Sequence, residues 1–346
     1  MTKEQQINDR QREILQYVVC NFILTAAPVA SRYVASHSNL GLSPATIRNT
    51  MADLEEMGYV THPHTSAGRM PTDKGYRFFV DWLMEIEPLT TLEKQNIRRQ
   101  LDGVREPAEL LHQAAKLLGE ISHQLSIVSS PQLRSSVLEH MELISISTNR
   151  ILVVLSVRSG IVRTITVEVV SEYSQENLNR IAHLLNERLY GLTLQAIRDT
   201  VADRMKDVKD EGTGLIDIFI RSANRIFDDS KEWEKLHIAG THSLVEQPEY
   251  ENPDNFRTII DLLNDEGELI EFLERPEPKR EEENVAISIG QEHREKKLKN
   301  YSVVVSQYRI GDVAGKIGII GPKRMPYAKV VPVVNYIAEE VSLMLS

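Results

Sequence analysis

Residues that could read nucleic-acid bases follow one another at helical spacing early in the chain. Thr46, Arg48 and Asn49 stand between Ala45 and Ala52, so this face of a helix would be small and polar. The opposite face would carry an apolar stripe of Ile47, Met51 and Leu54. Asn pairs with adenine and Arg with guanine through two-point contacts, while Ala or a Thr methyl group can meet thymine. The spacing therefore predicts that Thr46, Arg48 and Asn49 read bases in a major groove.

Two of these residues also have interpretations without DNA. Arg48 could form a surface salt bridge with Asp53 or another acid, and Asn49 could be simply solvated. A second, polar and basic set would fix the register of the helix on DNA phosphates. Its members are Ser43, Thr65, Ser66, Arg69, Lys74 and Arg77. Arg69 follows Gly68 in an exposed turn, and an Arg at the tip of such a turn can enter a minor groove.

Signals for helix and strand ends define the elements that position these residues. Ser43 can cap a helix that begins at Pro44, and Gly58 has the usual place after its end. Residues 59–61 then start a strand, residues 62–69 suit a tight turn, and Thr72 opens a further helix. We expect that helix to turn an apolar side toward its own domain and to leave Lys74 and Arg77 outside. The apolar side consists of Tyr76, Phe79, Val80 and Leu83.

Two more helices are predicted before this stretch, over residues 8–25 and 29–36. The order helix, helix, turn, helix and wing is that of a winged helix-turn-helix, here residues 1–87. Between Ile14 and Thr72 the only acids are Asp53, Glu55 and Glu56, at the far end of the base-reading helix. Residues 1–85 hold 8 Lys and Arg against 9 Asp and Glu, so a DNA-binding face would be local.

The motif SPATIRNTMADLEEMGYVTHPHTSAGRMPTDKGYRFFVD resembles the signature of the heat-inducible transcription repressor family HrcA. The segment GPKRMPYAKVVPVVNYIAEEV near the C-terminus is similar to that family too. The resemblance implies a dimeric bacterial repressor that binds an inverted-repeat operator in double-stranded DNA upstream of chaperone operons. It also implies release on heat shock and a chaperonin, GroEL, that maintains the active form.

Composition limits the class of protein. With 41% hydrophobic and 26% charged residues, the 346-residue chain is typical of a soluble protein with two or three domains. The single cysteine, Cys20, excludes an internal disulfide and is expected to be a small buried hydrophobe, with a redox-sensing thiol as the alternative. The polar N-terminus and the lack of a long apolar run predict a cytoplasmic protein without a membrane span.

The remaining chain alternates between helical and strand patterns. A helical linker is expected over residues 88–130, including a helix at 107–128 that could face a partner or pack on the next domain. Three strands follow within 143–170, then helices at 175–190, 194–206 and 214–228. Strands at 236–239, 285–289, 301–306 and 313–320, a helix at 255–273 and a closing helix complete the pattern. Residues 265–283 are predicted to form an acidic solvated loop.

Strands, a helical block and strands again suggest one sheet domain with an insertion. By the family resemblance, the sheet domain is GAF-like and the insertion is a mostly helical dimerisation domain. We expect the GAF-like domain at 131–175 and 236–346 and the insertion at 176–235, which makes the chain an α+β multidomain protein.

No catalytic motif, cofactor site or metal site is predicted. The Gly311–Lys316 stretch is one residue short of a phosphate loop, and His62 and His64 lack neighbouring ligands. A DNA-binding repressor is therefore favoured over an enzyme. A winged-helix regulator whose GAF-like domain binds a small molecule remains open, as does a winged helix that binds protein; the latter predicts little salt dependence.

Overall fold

The computed structural model describes residues 7–64, 68–131, 133–208, 214–227, 236–244, 246–274, 284–293 and 296–345. The chain divides into two compact units. The first unit comprises Met1–Val128, Leu236–Gln307 and Lys316–Glu340, and the second comprises Ser129–Lys235, Tyr308–Gly315 and Val341–Ser346. The described part is a mixed α/β structure with twelve α-helices and three sheets.

The first unit begins with what we call the N-terminal module, the described residues from 7 to 83. Its elements are α1 (Asp9–Thr25), α2 (Ser31–His37), α3 (Pro44–Glu56), β1 (Val60–Thr61), β2 (Met70–Pro71) and α4 (Asp73–Phe78), with a π-helical turn at Phe79–Leu83. Asn8 caps α1 in a reciprocal capping box with Gln11, which satisfies two otherwise unpaired N–H groups. β1 and β2 are antiparallel, with Val60 opposite Pro71.

Most predicted boundaries in this module are confirmed. Ser43 caps α3, Thr72 caps α4, and Gly58 lies after α3 with a φ of +78°. α2 starts two residues later than expected, because the backbone of Val29 pairs instead with that of Arg69. Cys20 differs from expectation, because it is exposed on α1 rather than buried. Tyr33 of α2 is 40% exposed and stacks on His37.

After the module come α5 (Thr91–Leu101) and α6 (Pro107–Ser122), followed by strand β3 (Leu125–Ser129). The expectation of one helix over 107–128 was wrong at its end. His123 takes a left-handed φ of +53° and stops α6, and Leu125–Ser129 enters a sheet in which Ser126 lies opposite Ile319. Helix and strand are hard to tell apart in a short apolar run such as LSIV, since only a distant pairing partner decides.

A five-stranded sheet forms the centre of the first unit. It combines β3 with β7 (Leu236–Ala239), β8 (Val285–Ile289), β9 (Tyr301–Ile310) and β10 (Val313–Pro322) in the order β7-β3-β10-β9-β8. The helices α10 (Pro253–Leu263) and α11 (Glu266–Glu274) contribute Ile259, Leu262, Leu269 and Phe272 to an apolar core with Ile127, Val303 and Ile320. The closing helix α12 (Tyr327–Met344) buries Tyr327, whose hydroxyl donates to Ser302 Oγ at 2.8 Å.

Two expectations for this region need correction. The helix predicted at 255–273 is broken into α10 and α11 at Asn264, and the predicted acidic loop is helical in its first half. The rest of that loop, residues 275–283, lies outside the described residues.

The second unit contains a separate three-stranded sheet and three helices. β4 (Leu138–Ser147), β5 (Arg150–Val157) and β6 (Val162–Glu168) pair in that order and antiparallel. α7 (Gln175–Leu189), α8 (Leu194–Arg204) and α9 (Leu215–Phe227) follow, and Ile181, Phe219 and Ile226 face Val153 and Val167 of the sheet. The edge of β4 is covered by amide side chains of α7: Asn186 bonds both backbone groups of Met141, and Gln175 bonds Ser145 and Leu143. At these residues the edge of β4 is therefore not free to pair with another strand.

The division into units differs from the expected domain boundaries. Residues 131–175 were expected to share a sheet with 236–346, but β4, β5 and β6 pair only with one another among the described strands. They belong to the unit that holds α7, α8 and α9. Within the described residues, no helix has the length and apolar character needed to cross a membrane.

Candidate nucleic-acid interface

The exposed face of α3 carries the residues predicted to read bases. Ala45, Arg48 and Asn49 are exposed and Thr46 is half-buried, whereas Ile47, Met51 and Leu54 are at most 3% exposed. The apolar stripe packs inside the module, so the polar stripe must face out. The predicted orientation of the helix is confirmed.

Arg48 and Asn49 make no side-chain hydrogen bond or ion pair with any residue that the structure describes. The alternative for Arg48, a surface salt bridge with Asp53, is therefore not observed. Both side chains keep all their donors and acceptors available, which a base contact requires.

Ser43 organises the N-terminal end of this helix. Its Oγ accepts the Thr46 N–H at 3.1 Å and lies 2.9 Å from Thr46 Oγ1. Ser43 is exposed, and the first turn of α3 contains no acid. Free N–H groups and the helix dipole give such an end a positive potential, which suits a DNA phosphate.

Arg69 lies elsewhere than predicted. Its backbone pairs with Val29 through N–H···O distances of 2.8 and 2.9 Å, which places it at the base of the β1–β2 connection and not at its tip. Its guanidinium contacts Glu55 of α3, with Nη2 2.7 Å from Oε2, and the other oxygen of Glu55 bonds His62 Nδ1. Because Glu55 already neutralises this charge, Arg69 is not free to meet a phosphate in this conformation.

Lys74 is exposed as predicted, but its ammonium group has local contacts. It donates to the Met57 carbonyl at 2.8 Å and lies 4.3 Å from the centre of the Tyr59 ring. The contact with Met57 satisfies a carbonyl at the C-terminal end of α3, where a cation also interacts well with the helix dipole.

Arg77 was expected on the outside of the module, but its side chain is largely buried. Its side chain is only 17% exposed, and its Nε donates to Glu292 Oε1 at 2.7 Å. Nη2 donates to the Ile287 carbonyl at 2.8 Å, and Nη1 lies 3.2 Å from Asp81. Burial alone would lower the pKa of this guanidinium, but the hydrogen bonds and negative charges of Glu292 and Asp81 together outweigh it and raise the pKa. Glu292 is 215 positions away in the chain, so no local signal could reveal it.

Two predicted contacts cannot be placed, and one candidate was missed. Thr65 and Ser66 lie outside the described residues. Arg32 of α2 is exposed, and its side chain has no ion pair within the described part of the chain. The sequence signal was available, since Arg32 is the only Lys or Arg between Arg12 and Arg48.

The described residues contain no cluster of three or more His, Cys, Asp or Glu side chains with metal-binding geometry. The second unit has an open groove of about 730 Å³ between β4 and α7, lined by His140, Glu142, Gln175, Asn179 and His183, among others. His140 and Glu142 of its lining fall within residues 131–175, which were expected to belong to the GAF-like domain.

The family model and the named relatives that match this chain indicate the same family. A model of the HrcA protein C terminal domain matches residues 108–331. The heat-inducible transcription repressor HrcA of Chlorobium phaeobacteroides strain BS1 is 41% identical over 98% of this chain and 99% of that protein. Its counterpart in Chlorobium chlorochromatii strain CaD3 is 40% identical over 99% and 98%.

A solved structure has the same fold over its whole length. The crystal structure of a hypothetical protein at 2.2 Å resolution is 25% identical, with a TM-score of 0.59, and covers 99% of this chain and 98% of that one. The family model spans more than half of the chain, and the named relatives exceed 30% identity over nearly all of it. The chain therefore belongs to the HrcA family of heat-inducible transcription repressors.

Proposed function

We propose that this protein represses transcription of heat-shock chaperone operons by binding an inverted-repeat operator in double-stranded DNA. One observation carries the proposal: α3 exposes Arg48 and Asn49 beside Ala45, free of partners among the described residues and on a face without acids until Asp53. A polar stripe of small and two-pronged side chains is what base recognition in a major groove needs. The family supplies the target, since its named members are heat-inducible repressors.

In this proposal the N-terminal module is a winged helix-turn-helix. α3 is the recognition helix, and β1, β2 and their connection form the wing. Thr46, Arg48 and Asn49 read bases, while Ser43, Thr65, Ser66 and Lys74 contact phosphates together with Arg32. We leave Arg69 and Arg77 out of this set because both guanidinium groups are paired with carboxylates of the chain.

We further propose that the five-stranded sheet is the GAF-like domain and that the second unit is the dimerisation domain. The second unit exposes Ile146 (53%) and Val162 (56%) on the side of its sheet that its helices do not cover. Apolar side chains in such a position favour association with a second copy. Two modules held by a two-fold axis would then meet the two halves of an inverted repeat.

Release on heat shock would follow from the modest stability of the dimeric form, because only a few kcal/mol separate most folded proteins from their unfolded state. We propose the chaperonin GroEL as the partner that maintains the active form. Family membership supports this, and the exposed apolar side chains of Leu24 (80%), Trp82 (57%) and Leu92 (65%) are the kind of surface that a chaperonin binds.

The test is operator binding by the full chain and by Arg48→Ala. We expect the wild-type protein to prefer a chaperone-operon inverted repeat over a scrambled duplex, and affinity to fall steeply between low and high salt. Losing a two-point base contact costs ~1–3 kcal/mol per half-site, so Arg48→Ala should weaken specific binding by at least tenfold. Fluorescence anisotropy at two salt concentrations measures both effects.

Arg105→Ala is the matched control, because Arg105 is an exposed Arg in the same unit but outside the N-terminal module. It should leave binding unchanged. Equal, salt-insensitive binding of the wild-type protein to both duplexes, with or without added GroEL, would contradict the proposal and favour a winged helix that binds protein. If a metabolite were needed either to tighten operator binding or to release the operator, this would favour the ligand-controlled alternative.

A further inference from the structure

Helix α4 faces the five-stranded sheet with two oppositely charged side chains one turn apart. Asp73 Oδ1 lies 2.6 Å from Lys323 Nζ, and Asp73 Oδ2 accepts the backbone N–H of Gln291 at 2.9 Å. Arg77 bonds Glu292 in a two-pronged arrangement and also donates to the Ile287 carbonyl, which belongs to β8. All these residues lie within the first unit.

Gly290 gives independent evidence that the Asp73 contact is built into the fold. Gly290 has a φ of +54°, and a Cβ atom added there would collide with the Asp73 carboxylate, whose Oδ1 would be 2.8 Å away. Only glycine accepts both this backbone conformation and the close approach of a side chain.

A third contact joins the module to the same domain through α1. Arg324 donates from Nη1 to the Ile23 carbonyl near the end of α1 at 3.0 Å, and its other nitrogens bond Glu249. Tyr76 of α4 packs against Tyr327 of α12, with ring centres 6.4 Å apart. The attachment points are thus the end of α1, the start of α4 and the middle of α4, and three separated points restrict rotation about every axis.

These contacts explain two charged residues of the PTDKGYR segment that DNA recognition does not use. Asp73 would repel a phosphate, and the donors of Arg77 on Nε and Nη2 are already committed to protein acceptors. Two-pronged Arg–carboxylate pairs are strong and strict in their geometry, so they suit the alignment of one element on another.

We propose that Asp73 and Arg77 are positioning residues that hold α3 in one orientation on the sheet domain and thereby set the operator spacing that the dimer accepts. The inference rests on the proposed function, since it needs two modules on one inverted repeat. Linked modules gain affinity only if the geometry lets both bind at once. A module held rigidly tolerates one separation of half-sites, whereas a loosely held module tolerates several.

The experiment compares three duplexes: the operator, the same operator with 5 bp inserted between its halves, and a single half-site. An insertion of 5 bp turns one half-site by about half a helical turn. The variants are Arg77→Gln and Glu292→Gln, which weaken one contact from either side, and Gly290→Ala, which displaces Asp73 without changing charge. Gly103→Ala is the control, because Gly103 has a φ of +85° but nothing within 4 Å of an added Cβ.

We expect the wild-type protein and Gly103→Ala to prefer the native spacing by about 100-fold, a typical gain from bivalent binding. In the other three variants this preference should fall at least tenfold, through weaker binding at the native spacing. Affinity for the single half-site should stay within about twofold, because the base contacts on α3 are intact. Sedimentation at the same concentration should show an unchanged dimer in every variant.

Each other outcome overturns the inference. Parallel losses on the half-site and the operator would mean that Arg77 supports the fold or contacts DNA. Tighter operator binding by the variants would mean that the contacts hold the module in a pose that opposes binding. An unchanged spacing preference would mean that the Asp73 and Arg77 contacts do not set the operator spacing. A wild-type protein that does not distinguish operator from scrambled duplex would instead defeat the proposed function itself.

Discussion

At the scale of single residues, small side chains decide how closely the elements of the N-terminal module approach one another. Gly68 lies against the Pro28–Val29 backbone, where an added Cβ would be 2.6 Å from the Val29 oxygen and 2.7 Å from the Pro28 carbonyl carbon. Val29 and Arg69 exchange two backbone hydrogen bonds at this point. The absent side chain at position 68 therefore permits the contact that ties the base of the β1–β2 connection to the start of α2.

Gly68→Ala should destabilise the protein, because backbone atoms cannot move aside as a flexible side chain can. Overpacking of this kind costs about 1–3 kcal/mol. Chemical denaturation followed by circular dichroism measures the loss. The control is Gly267→Ala in α11, where an added Cβ meets only Asp265 Oδ1 at 3.4 Å; there alanine should be neutral or stabilising. Equal stability of Gly68→Ala and the wild-type protein would contradict the close approach.

At the scale of elements, a carboxylate at the C-terminal end of α3 pairs with side chains of the β1–β2 connection. Glu55 contacts both Arg69 and His62, and its carboxylate offsets the positive charge of the Arg69 guanidinium. Glu56, the next residue, is exposed and has no ion pair among the described residues. Glu55 has ion-pair partners and Glu56 has none among the described residues, so substituting each glutamate in turn gives a matched test.

We expect Glu55→Gln to strengthen binding to duplex DNA and to make it more salt-dependent, because it releases Arg69 for a phosphate. One additional phosphate contact steepens the slope of log K against log salt by about 0.9. Glu56→Gln removes the same negative charge without releasing a cation, so it should change the slope by much less. DNA affinity of both variants, measured at several salt concentrations, tests this. Equal slopes would mean that Arg69 does not become available to a phosphate when Glu55 is replaced.

At the scale of the whole molecule, the proposed mechanism divides the work between two compact units. The first unit holds the base-reading helix, and the second carries the exposed apolar side chains Ile144, Ile146 and Val162 on one face of its sheet. Affinity for an inverted repeat should then depend on a surface that never touches DNA, because bivalent binding multiplies the affinity of one module.

Ile146→Glu should convert the dimer to monomers, since a charge on a surface buried in the dimer loses its hydration. Operator affinity should fall by about 100-fold while half-site affinity stays unchanged. Sedimentation and anisotropy on the same samples test both effects. Leu92→Glu changes an exposed apolar side chain of the first unit; it is the control and should remain dimeric. A dimeric Ile146→Glu protein with full operator affinity would contradict this role of the second unit.

Local signals in the sequence were enough to predict the architecture of the N-terminal module. The Ser43 cap, the Gly58 stop, the Thr72 cap and the outward stripe of Arg48 and Asn49 were all predictable, because each depends on residues within one or two helical turns. The strands and helices of the second unit were predictable for the same reason. It was not predictable that these strands form a sheet separate from the five-stranded sheet.

Which distant parts of the chain belong together depends on the complete fold. β3 joins β10 across almost two hundred residues, which converted the end of a predicted helix into a strand. Glu292 and Lys323 meet Arg77 and Asp73 across more than two hundred positions, and these contacts attach α4 to the sheet domain. Strand pairing and ion pairing at such separations depend on the whole fold, and no short window of sequence records them.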